Sequence, residues 1–179
     1  MRGTSDPLAF YTFLENEPYR FDFFYTLRRL EALHPKLPRL GTALKPADEP
    51  VRFGQEPDLS FAPATISKYE PGNSKPARME VRFFGMFGPN GALPTHLTEY
   101  ARGRLLNDRD PTFVRFVDIF HHRFIALFYR AWAQAQPTAS LDRPKDDRFT
   151  AYVGSSFGLS TPHVRGADAV PDAAKLYFA

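Results

Sequence analysis

Residues 111–136 read PTFVRFVDIFHHRFIALFYRAWAQAQ, and apolar residues recur along them at alternating steps of four and three. That spacing is typical of an amphipathic α-helix. One predicted stripe consists of Phe113, Val117, Phe120, Phe124, Leu127 and Ala131. A second stripe, about 100° further round the helix, consists of Val114, His121, Ile125, Phe128 and Trp132. The rest of the circumference is predicted to be mostly polar, with Arg115, His122, Arg123 and Arg130. About half of the circumference is then apolar, which is wide enough to contact two neighbours.

A second helix is predicted directly before this one, from Pro94 or Thr95 to about Leu106. Asp110-Pro111 combines an N-cap residue with a proline suited to the first turn of a helix. Because the connection at residues 107–109 is short, the two helices are predicted to form an antiparallel helical hairpin over residues 94–136.

Residues 1–34 are also predicted to be helical. Asp6-Pro7 indicates a short helix to about Glu15, and Pro18 opens a second helix to about Leu33. The second helix has two predicted apolar sides, one with Phe21 and Tyr25 and the other with Phe23, Leu27 and Leu30. A helix that is apolar on two sides is expected to lie between two neighbours.

Residues 35–93 are predicted to form a Pro-rich extended or β segment that ends in a Gly-rich turn. Eight of the 17 prolines fall between residues 35 and 76, which forbids a long helix there. The predicted short strands are Val51–Gly54, Leu59–Phe61, Ala64–Tyr69 and Met79–Gly85. Prolines within and beside them favour edge strands or extended arms.

The last segment, residues 137–179, is predicted to hold a loop at Pro137–Pro144 and helices at Asp146–Phe157 and from about Pro171. The final helix stops in the middle of its apolar pattern, which favours a fragment of a longer chain over a single complete domain. Together these elements predict an α+β, mainly helical fold, with the Pro-rich segment inserted between the first helices and the hairpin.

Composition excludes several classes of function. The chain has 179 residues, no cysteine, and a net charge of +3 from 23 Lys+Arg and 20 Asp+Glu. Such an even balance argues against nucleic-acid binding, and no apolar run reaches the roughly 20 residues that a membrane helix needs. We therefore expect a cytoplasmic protein without direct membrane insertion. The 18 Phe residues exceed what a small core needs and predict contacts with other protein chains.

The Gly85–Gly91 turn lies between a predicted strand and a predicted helix, where phosphate-binding loops also lie. Its glycine spacing fits neither the dinucleotide-binding fingerprint nor the P-loop, and it lacks the lysine that a P-loop needs. Pro89-Asn90-Gly91 suits an ordinary β-turn. Met86 and Phe87 either tuck under the loop or dock onto another chain. With Pro89 and Leu93 they are candidate partner-binding residues, and replacing Met86 and Phe87 by serine is expected to spare folding.

No catalytic motif is found. His96 with Glu99 and Asp118 with His121 have helical i, i+3 spacing, but the order differs between the pairs and the further carboxylates of a di-metal site are missing. Ser155-Ser156 lacks the context of a hydrolase nucleophile. We therefore expect no enzyme activity, no metal and no cofactor. The alternative is a ligand- or phosphate-binding domain built on the Gly85–Gly91 turn, which could be an enzyme.

Three ordered blocks carry a family resemblance. They are PYRFDFF at 18–24 with LEALHP at 30–35, VRFFGMFGPNGALPTHLTEY at 81–100, and Asp110-Pro111 followed by Phe116, Asp118 and FHHR at 120–123. These blocks are similar to the TssG family, also called ImpH or VasB, of type VI secretion baseplate subunits. Family members are longer, so the resemblance implies an amino-terminal portion.

The resemblance implies a structural subunit without catalysis. TssG-like proteins associate with TssF and TssE around the central spike hub and recruit TssK, at the cytoplasmic side of the bacterial inner membrane. By analogy, the helices would pack with TssF through the candidate residues Phe120, Phe124, Phe128 and Trp132. The Pro-rich segment or the Gly85–Leu93 turn would contact TssK, and a fragment is expected to self-associate through uncovered apolar surface.

Overall fold

The computed structural model describes residues 7–72, 76–144, 147–159, 161 and 163–178. The chain divides into two compact units, residues 1–131 and residues 132–179. The first unit holds α1 (Pro7–Asn16), α2 (Phe23–Leu33), β1 (Val51–Gln55), β2 (Ile66–Glu70), β3 (Ala77–Val81), α3 (Thr95–Leu106) and most of α4 (Thr112–Gln134). The second holds the end of α4 with α5 (Pro137–Leu141), α6 (Arg148–Ser156) and α7 (Asp172–Phe178). The predicted α+β, mainly helical class is confirmed.

The N-terminal helices differ from the prediction at Pro18, which opens a 3-10 turn ending at Arg20 rather than a long helix. Phe21 is extended, and α2 begins after Asp22, whose side chain accepts a hydrogen bond from the Tyr25 amide at 2.9 Å. The Asp22 cap satisfies one of the helix's unpaired amides. Within this chain the buried residues of α2 lie on one side, whereas Tyr25 on the other predicted side is 46% exposed. The second predicted neighbour of α2 stays a prediction.

The Pro-rich segment contributes a three-stranded sheet in the order β1-β3-β2. β1 runs parallel to β3, and β2 runs antiparallel to it, so that β3 is central and β1 and β2 are the edges. Phe53 and Tyr69 flank Met79 in the register. Residues 59–61 lie outside the strands, and β3 ends at Val81 rather than Gly85. Both differences correct the predicted strands.

The core of the first unit lies between α1, α2, the sheet and α4. Its largest fully buried apolar side chains are Phe10, Leu14, Phe23, Leu27, Leu30, Leu40, Phe53, Ile66, Met79, Phe87, Ile125 and Tyr129. The Phe23 ring lies at the centre, with ring centroids of Phe53, Phe83 and Tyr129 at 6.5, 5.0 and 6.5 Å. These contacts hold α2 and α4 against β1.

Helices α3 and α4 follow one another through a short connection, as predicted. Thr112 N donates to Asp110 Oδ1 at 2.9 Å, and the Pro111 carbonyl accepts from Arg115 N at 2.8 Å. α4 therefore begins one residue later than predicted. Ala101 of α3 packs with Val114 and Val117 of α4, and this small apolar cluster places both helices beside the Gly85–Leu93 loop.

The second unit is a set of short helices. Residues 137–141 form α5, where a loop was predicted. α6 is capped by Asp147, which accepts from Thr150 N at 3.2 Å, and it ends at Ser156, two residues before Gly158 with φ +76°. Leu159 N donates to Gly154 O at 2.7 Å there, as in a Schellman motif. α7 begins where the last helix was predicted. In the described parts of both units, no helix has the length and hydropathy to span a membrane.

Candidate protein interface

α4 buries three polar side chains and exposes six large apolar ones, which is unusual for a helix at a protein surface. Its buried positions are Val114, Val117, Asp118, His121, His122, Ile125, Ala126 and Tyr129. Its exposed positions include the six large apolar residues Phe116, Ile119, Phe120, Phe124, Leu127 and Phe128, which we call the outer face. Phe116 is 57% exposed, whereas Asp118 is only 5% exposed. His122, which the sequence grouped with the arginines on the polar part of the circumference, is buried, whereas Arg115 and Arg123 are exposed.

The polar side chains of α4 face inward because they complete the edge of the sheet. Phe53 N of β1 donates to His122 Nδ1 at 3.2 Å, and Gln55 N donates to Asp118 Oδ1 at 3.1 Å. β1 is an edge strand, and its outward amides would otherwise be buried without acceptors under α4. An apolar inner face of α4 would leave both amides unsatisfied.

Asp118 is the hub of this contact. Besides the Gln55 amide, it binds the guanidinium of Arg78 and accepts from His121 Nδ1 at 3.0 Å. A Cβ at position 54 would lie 2.6 Å from Arg78 Nη2 and 2.9 Å from both Asp118 carboxylate oxygens. Only glycine therefore lets the buried carboxylate and its arginine approach β1 this closely.

The Gly85–Leu93 loop is fastened by side chains from β1, α3 and α4. Met86 N donates to His121 Nε2 at 2.9 Å, so the other ring nitrogen of His121 carries the proton that it donates to Asp118. Gln55 forms two bonds with Phe87, accepting from its amide at 2.8 Å and donating to its carbonyl at 2.9 Å. Gly88 N donates to Thr98 Oγ1 at 3.1 Å. Four hydrogen bonds thus fix the first part of the loop to β1, α3 and α4.

These bonds bear on the sequence alternatives. Gly91 N donates to Gly88 O at 3.1 Å, which forms the predicted β-turn at Pro89. The amides of Met86, Phe87, Gly88 and Gly91 are all bonded to protein acceptors, so a phosphate at this turn would have to displace them. His121 uses both ring nitrogens, and among the described residues no group of three or more His, Asp or Glu could hold a metal ion.

His122 and Glu49 form a second buried polar pair. Because His122 Nδ1 accepts from Phe53, its Nε2 carries the proton and lies 3.9 Å from Glu49 Oε2. Burial lowers the pKa of His122 to about 4, with the positive charges of Arg52 and Arg123 acting in the same direction. Burial also raises the pKa of Glu49. The inner face therefore favours the neutral imidazole.

The predicted partner-binding residues fall into two groups. Phe120, Phe124 and Phe128 are exposed on the outer face, and Pro89 is exposed at the tip of the turn. The others are at least partly covered: Phe87 is 2% exposed, Met86 and Leu93 pack against its cluster, and Trp132 in the second unit is half-buried. Phe87, predicted at an interface, is thus a core residue of this chain.

Four apolar residues beside the predicted set were missed. Phe116 and Ile119 are more exposed than Phe120, although neither belonged to a predicted stripe. Phe84 stacks on Phe128 with ring centroids 4.7 Å apart, and Phe24 lies 5.7 Å from the same ring. The i, i+4 spacing of Phe116 and Phe120 could have identified the first of these. The contacts extend the apolar surface from α4 to α2 and to the segment after β3.

The family model described as "Type VI secretion, TssG" matches residues 17–179. The chain belongs to this family. Comparisons with curated proteins and with solved structures give no significant match. Membership of the TssG family makes the chain a type VI secretion baseplate subunit, with other baseplate proteins as its partners. The exposed outer face is a surface on which such a partner could bind.

Proposed function

We propose that this TssG-family chain is a non-enzymatic assembly subunit whose α4 outer face binds another protein of the baseplate. The supporting observation is the exposure of six large apolar side chains between Phe116 and Phe128 along one helix. Monomeric proteins rarely expose a continuous apolar patch unless it is a binding site. Burying one such side chain fully contributes about 1.5–3 kcal/mol, so a partner that covers several has a large driving force.

The polar inner face explains why the chain cannot cover these aromatics by turning α4 over. Rotation would break the bonds from Phe53 N to His122 and from Gln55 N to Asp118, and would release Met86 N from His121. Each buried donor left unpaired costs about 1–3 kcal/mol. The aromatic side is therefore fixed outward while the inner bonds hold.

The family resemblance suggests the individual contacts. We assign the outer face to a TssF-like subunit, and the exposed Pro89 tip of the Gly85–Leu93 loop to a TssK-like subunit. Met86, Leu93 and Trp132 are half-buried and would contribute at the margins. TssE-like proteins and the spike hub complete the assembly, at the cytoplasmic side of the inner membrane. Because the loop is fastened at Met86 and Gly88 and closed by Leu93 N donating to Met86 O at 3.0 Å, it would present Pro89 in a fixed position.

The test is co-expression of the chain with the TssF-like subunit of the same secretion system. Phe120→Ser with Phe124→Ser is expected to abolish co-purification while leaving the chain folded, since each side chain is 46% exposed. The matched control is Leu44→Ser with Phe61→Ser, which removes two strongly exposed apolar side chains that do not belong to α4. Retained co-purification of the α4 variant, or equal loss in the control, would contradict the assignment.

A further inference from the structure

We infer that the partner segment covering the outer face is acidic and amphipathic, with carboxylates beside its apolar surface that pair with Arg123 and Arg130. This inference rests on the proposed function, because it concerns the partner that binds the same face. It adds the charge that the partner must carry and the two residues that recognise it. The observation behind it is a pair of arginines beside exposed apolar side chains that form no ion pair with the described residues.

The charged residues of α4 are few and unequally placed. They are Arg115, Asp118, Arg123 and Arg130. The only acid, Asp118, is buried on the inner face, and Arg115 lies 3.4 Å from Glu80 and 3.6 Å from Asp118. Neither Arg123 nor Arg130 forms an ion pair with any part of the chain that the structure describes. Arg123 lies near enough to buried Glu49 to lower the pKa of that carboxyl, although burial raises the pKa overall. The outer side of α4 therefore carries two arginines that no carboxylate among the described residues pairs directly.

On the helical projection, Arg123 and Arg130 lie together between Ile119 and Phe116 of the outer face. At about 100° per residue, positions seven apart differ by only about 20° around the helix, so the two side chains project in nearly the same direction. On the same projection, Phe116 and Leu127 are their neighbours on the aromatic side. A partner segment that covers Phe116 and Ile119 would thus pass close to both arginines.

Both arginines are also held in position. Arg123 Nη1 and Arg130 Nη1 donate to the same acceptor, the Gly41 carbonyl, at 3.2 and 3.4 Å. Gly41 is fixed in turn, because its amide donates to buried Glu49 at 2.9 Å. A guanidinium has five N–H donors, so this one bond leaves donors for a bidentate carboxylate. Side chains already ordered lose less entropy when a partner binds.

A second copy of the chain does not suit this pair of arginines. Its α4 has no exposed carboxylate to offer, and pairing two outer faces would bring further arginines to the contact. Like charges placed together at an interface are unfavourable. A partner with Asp or Glu flanking an apolar stripe supplies apolar contacts for the phenylalanines and carboxylates for the arginines.

The test uses isothermal titration of the chain with the purified TssF-like subunit at low and high salt. Arg123→Glu with Arg130→Glu is expected to weaken binding about tenfold or more and to remove most of its salt dependence. The matched control is Lys36→Glu with Arg109→Glu, which changes the net charge equally at exposed positions outside α4. The control is expected to bind within about threefold of the unmodified chain, as rim charges outside a contact do little.

The outcomes separate the two proposals. If charge reversal leaves affinity and salt dependence unchanged while Phe120→Ser with Phe124→Ser abolishes binding, the outer face is the interface but the acidic partner is wrong. If neither variant loses binding, both proposals fail. Should reversal lower the melting temperature, Arg123→Gln with Arg130→Gln provides a milder test, expected to lower affinity and salt dependence in the same direction. A dimer of the chain alone that the α4 serine variant dissociates would overturn the acidic partner in favour of a second copy.

Discussion

The two sides of α4 have opposite composition and opposite roles. The inner side carries Asp118, His121 and His122, and it is buried against β1 and the Gly85–Leu93 loop. The outer side carries four phenylalanines, and it is exposed. The amphipathic pattern of this helix alone would predict that the phenylalanines face the core. The sheet edge decides otherwise, because its amides need acceptors that only the polar side supplies.

This comparison shows that apolar area alone does not determine which side of a helix becomes core. The inner side still contributes Val114, Val117, Ile125 and Tyr129 to the core, so its hydrogen bonds are added to a hydrophobic contact. The outer side offers more aromatic surface but no partner for β1. Where a helix covers a sheet edge, hydrogen-bonding groups can therefore outweigh a second apolar stripe.

The strongest test of the comparison is Asp118→Ala. The substitution leaves Arg78 without its buried partner and leaves the Gln55 amide and His121 Nδ1 without an acceptor. Breaking one partner of a buried ion pair costs about 3–5 kcal/mol. We expect a loss of that size in the free energy of unfolding, measured with urea. Asp118→Asn, which keeps an oxygen acceptor, is expected to lose less; equal losses would show that the hydrogen bonds contribute little.

Phe87→Ala is expected to have the next largest effect, about 3 kcal/mol, because it empties a buried site between Ala101, Val114 and Val117. Met86→Ser, at a half-buried neighbour, is expected to cost about 1 kcal/mol. Urea unfolding of the two single variants measures the difference. The structure thus reverses the expectation that serine at both positions spares folding. Equal and small losses in the free energy of unfolding would indicate that Phe87 lies at the surface.

The sequence predicted the elements well and their orientation poorly. Caps and periodicity located α1, α3, α4, α6 and α7 within a few residues, because these signals are local. The start of α2 was missed because Asp22, its cap, also suits the polar edge of a longer helix. The side of α4 that is buried depends on its contact with β1. The bond from Gln55 to Asp118 in this contact joins residues that are 63 apart in sequence. No local pattern carries that information.

A pH dependence follows from His122, whose pKa is lowered to about 4 from its ordinary value near 6.5. The folded state favours the neutral ring, so this contribution to stability is complete above about pH 6.5 and is lost as pH falls toward 4. We expect the chain to lose about 2 kcal/mol more than His122→Gln between pH 7 and pH 5, by urea unfolding at each pH.

Glu49 provides the control of opposite sign. Its pKa is raised, so its contribution is complete at low pH and is lost as pH rises through the raised value. Glu49→Gln should therefore steepen the loss of stability on acidification, whereas His122→Gln should flatten it. The same slope in both variants would mean that neither group is responsible.

The smallest change is expected on the outer face itself. Phe116→Ser with Ile119→Ser removes two side chains that are mostly exposed, so the free energy of unfolding should change by less than about 1 kcal/mol. Binding of a hydrophobic dye to the folded chain should fall at the same time, because the apolar patch is smaller. Urea unfolding and dye fluorescence on the same samples give both values.

The stability of the outer-face variant tests directly whether the two sides of α4 differ in burial. Two apolar side chains removed from an ordinary amphipathic helix cost several kcal/mol, since they are core. Two removed from the outer face should cost less than the single carboxylate of Asp118 on the inner face. A loss above about 3 kcal/mol would mean that the outer face is covered within the folded chain, and the phenylalanines would no longer be available to a partner.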